Sequence, residues 1–231
     1  MREGKRIGVV IPALNEAAAI GRVIAEIPDW VDHIVVADNG SSDGTGDVAR
    51  SAGATVIVQS ERGYGAACLA GIAALNAIDI VVFVDGDYSD HPADMADLVD
   101  PIANGRADFV LASRALGERE AGSLAPQQQF GNWLATTLIR LIWGERYSDL
   151  GPFRAISSPA LAALAMADRN FGWTVEMQIK AAEQRLRIIE VPARYRRRIG
   201  VSKVSGTISG SVKAGVKILY IIGRHAMARR R

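Results

Sequence analysis

Asp85 and Asp87 stand two residues apart at the end of the most strand-like run in the chain, Ile78–Val84 (IDIVVFV). After a buried strand, two carboxylates at that spacing converge on one ion. As hard oxygen ligands they suit Mg²⁺ or Mn²⁺. Gly86 between them lets the backbone pass close to a ligand. An ion held there would bridge a diphosphate and take up charge on a leaving phosphate. Asp and Gly are also turn formers, so spacing alone leaves a plain Asp-rich turn open. Asp38, at the end of the run His33–Ala37, is a second candidate, because a carboxylate there accepts hydrogen bonds from a ribose or a base edge. The first run, Arg6–Ile11, is followed by Pro12-Ala13-Leu14-Asn15-Glu16 and not by a glycine-rich turn, which argues against a nicotinamide-dependent dehydrogenase. Gly63-Tyr64-Gly65 is a weak signal that ordinary loop chemistry explains equally well. Ser113-Arg114 follows the run Asp108–Ala112.

These residues need a scaffold that brings their segments together. Strand-like runs at Arg6–Ile11, His33–Ala37, Thr55–Val58, Ile78–Val84 and Asp108–Ala112 alternate with helical patterns at Glu16–Ile27, Ala66–Ala77 and Pro92–Asn104 and a helix-opening turn at Gly40–Thr45. That alternation predicts an α/β fold, a doubly wound, mostly parallel sheet with helices on both faces. Ligands of such sheets bind at the carboxyl ends of the strands, where all the polar segments above would collect. The second half is less regular. It reads as a polar loop (Gly117–Gln128), an amphipathic helix (Phe130–Trp143), a short strand (Phe153–Ile156), a helix (Val175–Gln184), a strand (Arg187–Val191), a basic loop (Arg194–Gly206) and a final helix (Thr207–Ala228).

Composition narrows the class. Of 231 residues, 49% are apolar and 23% charged, which excludes a disordered chain. The apolar runs fall short of the ~20 residues a membrane span needs. With one cysteine, Cys68, there is neither an internal disulfide nor a cysteine-based zinc site. The N-terminus has no signal-peptide pattern, so a cytoplasmic location is expected. The charge is lopsided: eleven of the 27 Lys and Arg lie in Arg194–Arg231, which holds no acidic residue, leaving 16 basic against 25 acidic residues elsewhere. A basic tail on an acidic body points to an anionic partner. It is poor in the aromatics that nucleic-acid stacking uses, so nucleic acid is not expected. In the final helix Lys213, Lys217 and Arg224 share one face, Val212, Val216 and Leu219 share another, and Ile218, Ile221 and Ile222 widen the apolar side. This fits either a helix lying on an anionic membrane surface or one packed on the domain with a basic outer face.

Taken in order, the segments resemble family 2 glycosyltransferases of the GT-A fold. Pro12–Glu16, Asp38–Thr45 (with Asn39 where Asp is more usual), Gly63–Ala67 with Gly71, and Asp85-Gly86-Asp87 match four motifs of that family. Asp149–Arg154, Glu176, Tyr195 and Ser202-Lys203 are similar to the dolichyl-phosphate mannosyltransferase-like branch, Pro152 being a departure from its Ser-Gly-Phe-Arg. The resemblance implies an inverting transferase that uses a nucleotide-sugar donor, linked to UDP or GDP, and a polyprenyl phosphate acceptor. The alternative is a soluble or other hydroxyl acceptor. It implies that residues 1–231 form one domain, with a nucleotide-sugar half (1–115), an acceptor half (116–206) and a basic helix (207–231) peripheral to the membrane. A second copy of the chain is a further candidate partner. It places Pro12, Leu14, Glu16, Asp38, Gly65, Asp85 and Gly86 on the nucleotide sugar, and Asp85 and Asp87 on the metal. Ser113, Arg114, Arg154, Arg198 and Lys203 fall on the acceptor phosphate. Glu176 is the candidate base for a hydroxyl acceptor, and Asp87, Arg114 and Glu176 are the candidate catalytic residues.

Overall fold

The structure, a computed structural model, describes residues 1–200 and 208–229. The first half is built as the alternation predicts: β1 (Ile7–Ala13), α1 (Ala17–Ala25), β2 (His33–Asp38), α2 (Thr45–Ser51), β3 (Thr55–Val58), α3 (Tyr64–Ala73), β4 (Ile80–Phe83), a 3₁₀ turn (Pro92–Asp94) running into α4 (Met95–Ala103), and β5 (Phe109–Ser113). The second half holds α5 (Pro126–Trp143), β6 (Arg154–Ser157), α6 (Ser158–Leu164), α7 (Trp173–Glu183), β7 (Ile188–Pro192) and α8 (Ile208–Ala228). Together the strands make one seven-stranded sheet in the order β3-β2-β1-β4-β6-β5-β7. β1 pairs in parallel with both β2 and β4, and β5 with β7. Only β6 runs against its neighbours, antiparallel to β4 and β5.

Helices cover both faces, so the central strands are apolar on both sides and lack the in–out alternation of a one-sided sheet. Val9, Ile11 and Val82 point into one core, with Ile20, Val23, Leu98 and Val99 of α1 and α4. Val10, Phe83 and Leu111 point into the other, with Cys68, Ile139, Trp173 and Ile221 from α3, α5, α7 and α8. There Phe83 meets Trp173 edge to face, centroids 5.9 Å apart. The winding reverses between β1 and β4, opening a crevice at their carboxyl ends where Pro12–Glu16 and Asp85–Asp87 emerge.

Several helices depart from the sequence pattern. α5 begins at Pro126, four residues before the expected Phe130. Proline suits a first helical turn, and the Gln128 side chain accepts a hydrogen bond from Ala125 N–H at 2.9 Å. α6 was not expected; a seven-residue stretch gives too little periodicity to read. In α8, Ile221 and Ile222 are buried in the core and Lys217 pairs with Asp168 at 2.6 Å. The apolar side of α8 is therefore divided, Ile221 and Ile222 packed on the domain and Val216 and Leu219 exposed. No helix among the described residues is long and apolar enough to cross a membrane.

Phe83→Ala is expected to cost about 3–5 kcal/mol. It removes a fully buried ring and its edge-to-face contact with Trp173, and urea unfolding measures the loss.

Candidate active site

The first two motifs form one knot. Asn15 sits at φ 53°, a left-handed conformation that Asn tolerates. Its side-chain oxygen accepts from Ser42 N–H at 2.8 Å, while its own N–H donates to Ser41 Oγ at 2.9 Å. Glu16 N–H donates to Thr45 Oγ1 at 2.8 Å. Asp38 Oδ1 accepts from Ser41 N–H at 2.8 Å, so this carboxylate shapes the turn after β2. Asn39 then explains itself: its amide donates to the Gln59 and Glu61 carbonyls at 2.9 and 2.6 Å, and its oxygen accepts from Gly63 N–H at 2.8 Å. An aspartate could not make the two donations.

The third motif is a close-approach device. A Cβ at Gly65 would collide with the Asp168 carbonyl, and one at Gly63 (φ 152°) with that of Arg169. The absence of both lets Ala66 N–H donate to the Arg169 carbonyl at 2.9 Å, docking the start of α3 on residues 167–172. Tyr64 is thereby aimed at the carboxylate pair, its hydroxyl donating to Asp85 Oδ1 at 2.9 Å.

Asp87 Oδ1 accepts from Ser89 N–H and Oγ at 2.9 and 2.6 Å, which fixes its rotamer. Its Oδ2 faces Arg198 at 2.6 Å, with Glu16 3.5 Å from the same guanidinium. Arg198 is delivered by the backbone: Arg196 N–H donates to the Ser89 carbonyl and Ile199 N–H to that of Asp87, both at 2.9 Å. Arg196 anchors this stretch by stacking 3.4 Å over the Tyr88 ring and pairing with Glu26 at 2.7 Å. Burial, and then the Asp87 carboxylate, push the Asp85 carboxyl up to about 6. Burial, with Asp85 and Asp87 behind it, also raises Asp90, whose Oδ2 has no hydrogen-bond partner.

Across the crevice, Arg114 is fixed by Asp149: its Nε and Nη2 each donate to a carboxylate oxygen at 2.7 Å, and its backbone N–H donates at 2.8 Å. Tyr195 packs 5.2 Å from the guanidinium. Burial pushes Asp149 up, but Arg114 outweighs it and holds the carboxyl below its ordinary value.

These groups line one cavity of about 510 Å³. Pro12, Leu14, Glu16, Asp85, Gly86, Asp87, Arg114 and Arg198 are all on its wall, as the sequence led us to expect. Five expected residues are placed elsewhere. Arg154 is fully buried, its guanidinium spent on the carbonyls of Leu150, Gly151 and Thr174, so it props the floor and faces no acceptor. Burial also lowers its pKa to about 10. Glu176 is buried too: it accepts from Asp168 N–H at 2.7 Å, pairs with Lys180 at 2.9 Å, and so organises the loop that α3 rests on. Ser113 is buried against Ser148, Oγ to Oγ 2.6 Å. Gly65 and Asp38 lie just behind the wall, represented on it by Gly63, Tyr64 and Asn39. Lys203 lies outside the described residues. The sequence reading missed Tyr64, Thr174 and the α8 residues Ala214, Gly215 and Ile218 on the wall, and Asp149 behind it. Asp149 and Tyr64 had a signal, their places in the Asp149–Arg154 and Gly63–Ala67 motifs.

A divalent ion fits the donor set. Asp85 and Asp87 offer hard oxygens on the cavity wall, and Arg198 shows that the spot draws positive charge. Among the described residues no third His, Cys, Asp or Glu joins them, so phosphate oxygens and water would have to complete the shell.

A doubly wound sheet with a carboxylate pair at its switch point, Arg198 on that pair and Arg114 across the cavity, has the charge arrangement that suits phosphorylated ligands. Residues 8–163 match the glycosyl transferase family 2 model, and the chain belongs to that family. It is 35% identical over 219 residues to an uncharacterised glycosyltransferase of Mycobacterium tuberculosis, covering 91% of this chain and 95% of that one. It is 27% identical over 226 residues to the undecaprenyl-phosphate mannosyltransferase of Micrococcus luteus, covering 91% and 92%. The fold is GT-A. Glucosyl-3-phosphoglycerate synthase of M. tuberculosis superposes over 95% of this chain and 81% of its own, at 27% identity and TM-score 0.76. Its complex with Mn²⁺, UDP-glucose and phosphoglyceric acid gives 0.74.

Asp85→Asn is expected to stabilise the unliganded protein at pH 7. The folded carboxyl titrates at about 6 and the unfolded one near ~3.9, so its contribution to stability is fully present below pH ~4 and is lost as pH rises through 6. The neutral amide removes that loss, a gain of about 2 kcal/mol at pH 7 that vanishes near pH 4. Denaturant unfolding at the two pH values checks it.

Proposed function

We propose that this glycosyltransferase moves a sugar, with inversion, from a nucleoside-diphosphate sugar to a polyprenyl phosphate. The observation that carries the reading is the pairing of charges in one cavity: carboxylates Asp85 and Asp87, Arg198 in contact with Asp87, and Arg114 across the crevice. Pro12, Leu14 and Glu16, with Asp38 shaping the turn behind them, hold the nucleotide. Asp85 and Asp87 would hold Mg²⁺ or Mn²⁺, which would supply positive charge to offset the negative charge of a departing diphosphate. Mn²⁺ is present with UDP-glucose in the complex of the structural relative. Arg114, pre-set by Asp149, orients the acceptor phosphate. A phosphate oxygen attacks the anomeric carbon, a new C–O bond forms, and the bond to the diphosphate breaks. That oxygen is already ionised near neutral pH, so no base is required. With Glu176 buried on Lys180, this supports a phosphate nucleophile over a hydroxyl. The M. luteus relative is named for a polyprenyl phosphate acceptor. The second reading is a soluble acceptor, which the phosphoglyceric acid in the structural relative favours.

Nucleoside diphosphate release from UDP- and GDP-sugars is expected to need divalent metal, stop with chelator and rise with added polyprenyl phosphate. Metal-dependent release that ignores the lipid and rises with a soluble phosphorylated acceptor would establish the second reading. Asp87→Ala is expected to abolish metal-dependent donor binding with the fold intact, read by calorimetric titration. Arg114→Lys is expected to lower turnover by about 10²–10³-fold while leaving donor affinity unchanged.

A further inference from the structure

We infer that the outward faces of α5 and α8 form one surface that docks on an anionic lipid bilayer and sets the cavity mouth against it. The inference rests on the lipid-acceptor reading and says where the membrane lies. Seven of the twelve large apolar side chains exposed among the described residues are on these two helices. On α5, Phe130, Trp133 and Leu141 are 61%, 59% and 75% exposed, the two rings in contact at 5.8 Å. On α8, Val216, Leu219, Tyr220 and Met227 are likewise exposed. A water-facing helix does not present such a row unless something covers it.

Chemistry and position select the occupant. Neither helix contains an Asp or Glu. Arg140 and Lys213 are exposed among the apolar side chains, and the sequence continues into Arg230 and Arg231. Apolar and aromatic side chains mixed with cations, and no anions, match the headgroup boundary of an anionic bilayer. The helices pack side by side, and Arg229 of α8 donates to the Ile142 carbonyl near the end of α5. At their other ends both reach the cavity: Gly131 and Asn132 of α5 and Gly215 and Ile218 of α8 line its wall. Phe130 and Trp133 flank the first pair, and Val216 and Leu219 the second. The apolar strip thus starts at the cavity mouth. An amphiphile held there would have its phosphate inside and its tail along the strip. The basic outer face expected of α8 is only part of this surface; α5 supplies its aromatic part.

The test is co-sedimentation of the full chain at low salt with vesicles of phosphatidylcholine containing about one-third phosphatidylglycerol and no prenyl phosphate. Binding is expected to fall about tenfold or more for the double variant Phe130→Ser, Trp133→Ser. It should hold for Val58→Ser, an exposed apolar residue on the edge strand β3. Brominated lipid tails are expected to quench a fluorescence component that Trp133→Phe removes. The inference is overturned if the double variant, with an unchanged melt, binds within twofold of the parent. It is equally overturned if lipid-free light scattering finds dimers that the double variant abolishes, since the face then meets a second copy. Vesicle binding without sugar transfer to added polyprenyl phosphate keeps the docking surface and defeats the acceptor reading alone.

Discussion

Two carboxylates held side by side at the end of a buried parallel strand repel each other, and the rest of the site is arranged around that repulsion. Asp85 and Asp87 are placed by β4, whose backbone is locked between β1 and β6 and cannot relax them apart. The local structure offsets the charge without removing it. Tyr64 donates to one carboxylate, Ser89 to the other, and Arg198 covers the second from the far side. A site strained in this way draws a cation or a proton. The raised Asp85 carboxyl and the Arg198 contact are two expressions of the same potential.

Positioning of the partners depends on close backbone approach more than on side chains that touch a ligand. Gly63 and Gly65 let α3 settle on residues 167–172, and this settling aims Tyr64. Glu176 and Asp168 hold that loop from beneath, Asp168 accepting from the Asn170 and Gly172 N–H groups at 2.8 and 3.0 Å. Arg154 ties Leu150 and Gly151 to Thr174 under the floor. Glu176 and Arg154 are charged residues in motif positions, yet their chemistry is spent on the scaffold. Their burial explains why: a charged group without solvent is retained only where partners satisfy it.

The charge asymmetry along the chain has a comparable resolution. The basic C-terminal region sits on an acidic body, and part of its charge is consumed there, Lys217 by Asp168 at 2.6 Å. Ile221 and Ile222 complete the core over α7. α8 is thus both a structural wall of the cavity and a carrier of outward-facing apolar and basic side chains.

The alternation of strands and helices, the carboxyl-edge placement of Pro12–Glu16 and Asp85–Asp87, and the carboxylate pair itself were legible in the sequence. Each depends on neighbours close along the chain: a β-branched run makes a buried strand, and the residues just beyond its end emerge at the sheet edge. The antiparallel course of β6 was not legible, because four residues read the same in either direction. Nor were the roles of Arg154, Glu176 and Ser113, since a residue type gives the charge it carries but not whether a carbonyl or a cavity faces it. Asn39 against Gln59, Glu61 and Gly63, Arg114 against Asp149, and α8 against α5 join residues from 20 to more than 80 positions apart. Local sequence determined the elements and the chemistry available at their ends. Tertiary packing alone decided which charges face the cavity, because burial and pairing are properties of segments brought together from distant parts of the chain.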